Sequence, residues 1–238
     1  MKSFYITKKS GLKYTKREFI HIVVYIRSKL NNSKLYDQEG RFLPLVEEFY
    51  SIQGEGYNTG KAAYFIRLGG CDVGCSWCDS RYSWNPDLHP MVSTDEIIKN
   101  VIGSGTDSVV VTGGEPLMWN LDLLCSSLKK KKLNTFIETS GTYPLSGSWD
   151  WICLSPKRNQ PPLPEICILA NELKIIVENK SDFAWAEKYR AIVSSECRLY
   201  LQPEWSRSEK TIPEIVDYVK KNSVWNISLQ VHKFMHIP

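Results

Sequence analysis

The chain holds 238 residues, of which 42 % are hydrophobic and 24 % charged, with a formal net charge of +4. That balance predicts one globular domain, with or without an extension, and excludes a disordered, collagen-like or coiled-coil chain. The most apolar stretch, Phe19–Ile26, is too short for a membrane span and carries His21.

The charge is unevenly placed. Residues 1–41 hold ten Lys/Arg against three Asp/Glu, a net of +7, whereas residues 42–238 hold twenty against twenty-three, a net of −3. Residues 1–41 therefore read as a separable basic extension that need not be ordered. A basic arm can touch nucleic acid, but solvated termini are commoner. Within Met1–Leu35 no small-residue cleavage site follows an apolar core, so no secretory leader is expected. Seven cysteines are an odd number: Cys71, Cys75 and Cys78 sit together, and Cys125, Cys153, Cys167 and Cys197 are scattered among apolar neighbours. This is not a disulfide framework, and it predicts a reducing cytoplasmic setting.

From Leu43-Pro44 onward, strands and helices alternate. Ala63–Leu68 reads as a strand ending at Gly69-Gly70. Ser93-Thr94-Asp95-Glu96 opens a helix through Ile102, since a hydroxyl cap followed by acids suits the free N–H groups and dipole of a helix start. Ser108–Thr112 is a β-branched strand closed by Gly113-Gly114, and Leu121–Leu128 is a helix. The lysines at 129–132 that follow read as cations offsetting that helix's C-terminal dipole, ahead of a nucleic-acid patch. Further strands are predicted at Thr135–Glu138, Trp151–Leu154, Leu173–Val177, Arg198–Leu201 and Trp225–Gln230. Helices are predicted at Ser181–Arg190 and Ile212–Lys221, and the proline-rich Asn159–Pro164 reads as a loop.

Such alternation predicts a parallel sheet with helical crossovers, either doubly wound or a full or partial β/α barrel. Polar or glycine-rich strings follow nearly every predicted strand: Gly69-Gly70-Cys71, Thr112–Pro116, Glu138–Gly141, Ser155-Pro156-Lys157 and Gln202-Pro203. Barrel enzymes carry their chemistry at the C-terminal ends of strands, so these strings favour one shared barrel rim.

The spacing Cys71-x3-Cys75-x2-Cys78 is the most informative feature. Three thiolates on one short loop can converge on one metal centre. A structural zinc site wants four protein ligands, and the only nearby fourth candidate is His89, with Cys125 far away along the chain. Three thiolates and a vacancy suit a [4Fe–4S] cluster with one open iron. Zinc, a redox pair with one cysteine over, and plain buried thiols stay open on the residues alone.

The triplet, Trp77 just before its last cysteine, and Gly113-Gly114-Glu115-Pro116 about forty residues on together resemble the radical S-adenosylmethionine (SAM) superfamily. The likeness narrows with Phe49–Gly56, Phe65–Leu68, Cys78-Asp79-Ser80, Glu138–Gly141, Ser155–Lys157, Glu172–Lys174, Leu201–Pro203 and Leu229–Lys233, all in order. Over about residues 43–238 the chain resembles the 7-carboxy-7-deazaguanine synthases. The resemblance implies an α/β fold, a partial (incomplete) β/α barrel of the radical SAM type over residues 42–238. It also implies a radical ring contraction of 6-carboxy-5,6,7,8-tetrahydropterin to 7-carboxy-7-deazaguanine with release of ammonia, on the route to queuosine and related 7-deazapurines.

The same resemblance implies the cofactors and their residues. Cys71, Cys75 and Cys78 would ligate the [4Fe–4S] cluster, whose open iron would hold SAM, cleaved on electron transfer to a 5′-deoxyadenosyl radical. Trp77, Cys78, Asp79, Gly114, Ser155, Pro156 and Lys157 would lie along SAM, with Gly114 letting backbone approach the methionyl group. Ile52, Gln53, Gly54, Glu55, Arg67, Thr112 and the terminal Pro238 would contact the pterin. Glu55 would accept from its aminopyrimidine, and the Arg67 guanidinium would hold its carboxylate through paired hydrogen bonds. Mg2+ would take the hydroxyl of Ser80, where many family members carry Thr. His232 reads as a structural hydrogen-bonding group ahead of a general acid. The implied partners are the small-molecule pterin, an electron donor such as flavodoxin or ferredoxin, and a second copy in a homodimer; no membrane or nucleic-acid partner is expected. Two other functions share features of the sequence. A radical SAM activase acting on a protein would need the cysteine triplet but not Gln53–Gly56 or the terminal proline. A zinc-binding nucleic-acid module would need a fourth ligand and a basic body, whereas residues 42–238 are net acidic.

Overall fold

The computed structural model describes residues 39–238 and, before them, the backbone of two short strands, β1 (Tyr5–Thr7) and β2 (Lys13–Thr15), which pair antiparallel. The chain divides into two compact units, Met1–Gln38 and Glu39–Pro238. Apart from β1 and β2, the part of the predicted basic extension up to Gln38, including Phe19–Ile26 and His21, lies outside the described residues.

The second unit is one nine-stranded sheet in the order β11-β10-β9-β8-β7-β6-β4-β3-β5. Seven strands run parallel: β4 (Ala62–Leu68), β6 (Ser108–Gly113), β7 (Asn134–Thr139), β8 (Trp151–Leu154), β9 (Glu172–Val177), β10 (Arg198–Pro203) and β11 (Trp225–Ile227). At one side β3 (Phe42–Ile52) pairs antiparallel with β4, and β5 (Met91–Ser93) antiparallel with β3. The two edges do not pair, so the sheet is an incomplete barrel, as the resemblance implies.

Period-two alternation sorts each strand between two environments. Ile66, Leu68, Val109, Val111, Ile137, Ile152, Leu154, Leu173, Ile175, Val177 and Leu201 are buried and apolar. The alternate residues begin with an apolar plug of Ala63, Phe65 and Val110, on which Phe49 and Phe136 pack, the rings of Phe49 and Phe65 stacked at 5.3 Å. One inward step further along the strands come polar residues: Arg67, Thr112 and Glu138. The plug therefore sets a floor, and the C-terminal ends of the strands build a polar chamber above it.

Helices cross between the strands: α1 (Thr94–Gly103), α2 (Asp122–Lys130), α3 (Pro164–Leu169), α4 (Ser181–Arg190) and α5 (Ser208–Lys221), with α6 (Val231–Met235) after the last strand. Ser93 caps α1, accepting from Glu96 N at 3.2 Å. Lys129 at the end of α2 donates to Asp150 at 2.9 Å, a structural use of the lysine run.

Differences from the expected elements have local causes. No strand was predicted over Phe42–Ile52. Pro44 offers no N–H there, and a register shift between Leu45 and Glu47 breaks the alternation that would announce a strand. The loop expected at Asn159–Pro164 ends as predicted, but Pro164 then serves as the first residue of α3, where its missing N–H costs nothing. Helix α5 starts at Ser208, a full turn before the predicted Ile212, and carries Pro213 inside. The strand expected over Trp225–Gln230 stops at Ile227 because Ser228 turns its hydroxyl to Gln202 Oε1, at 2.7 Å, and leads the chain toward the chamber.

Candidate active site

The chamber is a cavity of about 240 Å³ at the C-terminal ends of the strands. Ile52, Gln53, Gly54, Glu55, Arg67, Cys71, Cys75, Trp77, Cys78, Asp79, Ser80, Thr112, Gly114, Ser155, Lys157 and Pro238 all line it. Of the residues expected at the site, Pro156 alone does not: with Ser155 and Lys157 turned inward, the buried residue between them faces away.

The cysteine loop follows β4 directly. Its start is pinned by backbone bonds from Gly70 N to Ser83 O (2.7 Å) and from Cys71 N to Trp84 O (3.0 Å). The proline-rich loop after β8 holds its middle: Asn159 Nδ2 donates to Gly74 O (2.7 Å) and Gln160 Nε2 to Asp72 O (2.7 Å). All three thiols are free and half-buried. Burial pushes the Cys71 thiol up to about 11. It also raises Cys75, against the opposing pull of the Lys157 charge. Trp84 Nε1 donates to Cys78 Sγ at 3.3 Å, and the Ser80 hydroxyl lies 3.6 Å from the same sulfur.

Gly113-Gly114-Glu115 lies against this loop. A Cβ on Gly114 would meet Gly70 O at 2.4 Å and Cys71 Cβ at 2.7 Å. The direction a side chain would take is filled by the cysteine loop itself, so close loop packing explains the glycine without invoking space for a ligand. Glu115 is 1 % exposed and turned inward to protein. Its Oε1 accepts from Leu117 N (3.0 Å) and Thr139 Oγ1 (2.6 Å), and its Oε2 from Ser140 N (2.7 Å) and the Ser140 hydroxyl. It clamps the end of β7 to the turn after β6. On the next strand, Lys157 Nζ donates to Ser155 Oγ at 2.6 Å and stands 5.6 Å from the centre of the Trp77 ring. Burial lowers the Lys157 ammonium below its ordinary value.

The opposite wall holds a charged cluster. Lys174 of β9, 4 % exposed, donates to Glu55 Oε2 and reaches Glu138 Oε2 of β7 at 3.4 Å. Gln53 Nε2 holds the other Glu138 oxygen at 2.9 Å, and Gln230 Nε2 holds the other Glu55 oxygen at 2.8 Å. Burial pushes the Glu55 carboxyl upward, but the Lys174 charge, with hydrogen bonds from Lys174, Gln230 and Gln202, holds it at about 2. Lys174 is pushed well above its ordinary value: burial opposes its charge, and Glu138 and Glu55 override it. On the same face of β9, Glu172 Oε2 accepts from Trp151 Nε1 at 2.9 Å while Oε1 is buried with no partner, and burial raises this carboxyl.

The C-terminal segment closes over the chamber. Val231 N donates to Gly54 O (3.0 Å), Lys233 Nζ to Asp79 Oδ2 (2.9 Å) and Ser51 Oγ to Pro238 O (3.0 Å). His232 rests on Gly54, where a Cβ would meet its Nδ1 at 2.2 Å, and burial lowers its imidazole below the ordinary value. Arg67 lines the cavity with its Nε held by Glu47 Oε1, its cross-strand partner on β3, at 2.6 Å. A carboxylate clamp on Arg67 must therefore use the two terminal nitrogens.

The donors fit a cluster better than a single ion. A structural zinc wants four protein ligands, and the chamber wall offers three cysteines. His89, the fourth ligand considered for zinc, lies off the cavity with Nε2 on Tyr82 O at 2.9 Å, and Cys125 is buried against Ser148. Three soft thiolates spread over one cavity wall suit an iron–sulfur cluster with a free position. Sequence reasoning gave no role to Glu138, Lys174 or Gln202; Glu138 and Gln202 stand at the ends of predicted strands, which was the signal available, whereas Lys174 lies near the start of its strand and carried none.

The chain was compared with known proteins. The family model for the Radical SAM superfamily matches residues 65–154. A 7-carboxy-7-deazaguanine synthase of Flavobacterium psychrophilum is 54 % identical over 201 residues, covering 84 % of this chain and 95 % of the relative. One of Synechocystis sp. is 45 % identical, covering 82 % and 93 %. Among solved structures, the crystal structure of QueE from Escherichia coli matches with a TM-score of 0.71 at 31 % identity, covering 82 % of this chain and 96 % of that one.

Proposed function

The chain belongs to the 7-carboxy-7-deazaguanine synthase family of radical SAM enzymes, and from its cavity we infer that it performs the ring contraction of 6-carboxy-5,6,7,8-tetrahydropterin to 7-carboxy-7-deazaguanine with release of ammonia. It is an enzyme of 7-deazapurine and queuosine biosynthesis that uses a [4Fe–4S] cluster and SAM. The observation that carries the reading is the meeting of the three thiols with a Lys–Glu cluster and the chain terminus around one cavity.

Cys71, Cys75 and Cys78 would hold the cluster, and Trp77, Asp79, Gly114, Ser155 and Lys157, which line the same cavity, would lie along SAM. When bound, that pair supplies the radical, and the protein's part is to bind, orient and exclude water. Arg67 and the Pro238 terminus face the same space as Glu55 and Gln53, so a flat pterin can be gripped at both ends. Thr112 and Ile52 bound its faces. Ser80 offers one hard oxygen for Mg2+, which keeps waters and accepts substrate oxygens to complete its shell. The neighbouring Asp79 carboxylate accepts from Lys233 through Oδ2.

Two partners follow from the same reading. A one-electron donor such as flavodoxin or ferredoxin would approach the cysteine loop, whose Asp72, Gly74 and Ser76 are exposed. A second copy in a homodimer is carried over from the family resemblance. Among the described residues no helix is long and apolar enough to cross a membrane.

The test is anaerobic reconstitution with iron and sulfide, then incubation with SAM, reductant, Mg2+ and 6-carboxytetrahydropterin, with mass spectrometry of the product. Formation of 7-carboxy-7-deazaguanine that vanishes in Cys75→Ala supports the reading. SAM cleavage without that product would refute the substrate, and a colourless protein with stoichiometric zinc would refute the cofactor.

A further inference from the structure

The three side chains Glu55, Lys174 and Glu138 come from three separate places in the chain and meet at one wall of the cavity. Lys174 is almost fully buried and has a carboxylate on each side. Each carboxylate keeps its second oxygen on an amide donor, Gln230 for Glu55 and Gln53 for Glu138. The cluster thus contains two acceptors for one cation, and its net charge is negative. Without that cation the two neighbouring carboxylates repel one another and part. Acceptors that have moved apart no longer meet the adjacent N–H donors of one ligand edge, so the match is lost.

We propose that Lys174 is a positioning residue that holds Glu55 and Glu138 side by side as paired acceptors, and thereby makes this wall selective for a heterocycle edge rich in N–H donors, the 2-amino-pyrimidinone edge of the substrate. The inference rests on the functional reading above and adds to it the source of the selectivity. Lys174 itself donates to the two carboxylates and takes no bond to the ligand. Of the other groups around the cluster, Glu172 lies on the same strand, Cys153 comes from β8, Gln202 from β10, and His232 from the C-terminal segment, while the Arg67 guanidinium of β4 faces Glu138 from across the cavity and is bonded to Glu47. None of these supplies a second cation buried between the pair.

The experiment is equilibrium binding to the reconstituted, SAM-loaded enzyme of two probes: 7-carboxy-7-deazaguanine and its analogue lacking the exocyclic amino group. The ratio of their affinities is the readout, since a merely structural loss would weaken both alike. Wild-type enzyme prefers the amino compound. In Lys174→Met that ratio falls about tenfold or more, the worth of one charge-assisted hydrogen bond. Lys174→Gln, which can still bridge the carboxylates without the charge, shows the same fall if the methionine variant does not fold, and Lys174→Arg restores the ratio. An unchanged ratio in a folded Lys174→Met or Lys174→Gln variant overturns the proposal. No binding of either probe by the wild-type enzyme overturns the functional reading itself, and the proposal with it.

Discussion

Replacing Glu115 separates two roles for the Gly-Gly-Glu-Pro string. The string's likeness to other radical SAM proteins places it along SAM, yet its carboxylate is absent from the cavity wall and accepts four hydrogen bonds from the β6 turn and the end of β7. In Glu115→Ala the two hydroxyls can turn elsewhere: Thr139 Oγ1 already accepts from Gly141 N, and Ser140 Oγ already lies 3.1 Å from Thr142 Oγ1. The amides Leu117 N and Ser140 N cannot. Two buried amides without acceptors cost about 1–3 kcal/mol each, hence about 2–6 kcal/mol in all. Against a typical domain stability of about 5–15 kcal/mol this is severe. With a urea slope of about 3 kcal/mol per M, the midpoint drops by about 1–2 M. Glu115→Gln keeps one oxygen for Leu117 N and sets an amide N–H against Ser140 N, so about half the loss is expected. The assay is urea unfolding followed by Trp fluorescence, paired with SAM binding to the folded, reconstituted variant. The reasoning requires a lowered midpoint in Glu115→Gln with SAM affinity within about threefold of wild type, since the side chain reaches the cavity only through Thr139 and Ser140, whose hydroxyls the glutamine can still bond. An unchanged midpoint with SAM binding lost would refute it.

The remaining predictions follow from the same geometry. Gly114→Ala forces its Cβ against Gly70 O, so the reconstituted protein retains well under half of the wild-type iron; full iron content in an anaerobic iron and sulfide assay would show that the loop can yield. Glu55 is held at about 2 in the folded chain against an ordinary value of 4.5, so its contribution is present above pH 4.5 and is lost as pH falls toward 2. That step is worth roughly 3 kcal/mol at most and is read from urea midpoints across pH 2–6, where Lys174→Met flattens the dependence. A Gly-Ser extension after Pro238 moves the terminal carboxylate away from Ser51, so KM for the pterin rises several-fold while the melting temperature stays within about 2 °C; an unchanged KM counts against a substrate role for the terminus.

Legibility in the sequence followed the physics of each element. The buried parallel strands were readable because crossover helices cover one face and leave dense runs such as Ser108–Thr112 and Trp151–Leu154. Strand β3 was not, because Pro44 and the irregularity at Leu45/Glu47 erase the period-two signal, and β5 is only three residues long. At the candidate site, residues at strand ends or in glycine-rich turns were visible as strings. The cluster of Glu55, Lys174 and Glu138 was not, since its members are far apart in sequence and only the strand order brings β7 and β9 to flank β8. Gly114 was visible in its string, but its packing against Gly70 and Cys71 was not, since no one-dimensional pattern carries that relation.

The arrangement of charge gives the cavity a direction. On the β4 side stands Arg67, its Nε answered by Glu47 and its terminal nitrogens left for an anion. On the β7 and β9 side stand two carboxylates against one buried lysine, a wall that favours N–H donors. A molecule with a carboxylate at one end and an aminopyrimidine at the other is therefore accepted in one orientation and opposed in the reverse one, where its anion would meet Glu55 and Glu138. On the proposed reading this orientation fixes which ring atom faces the cysteine loop. The apolar plug of Phe49, Phe65 and Phe136 beneath removes water from below the ring and strengthens both ends of the grip. On β4, β6 and β7 the step from plug to polar layer is two residues, from Phe65 to Arg67, Val110 to Thr112 and Phe136 to Glu138, and the difference between the two walls is which strand supplies the charge.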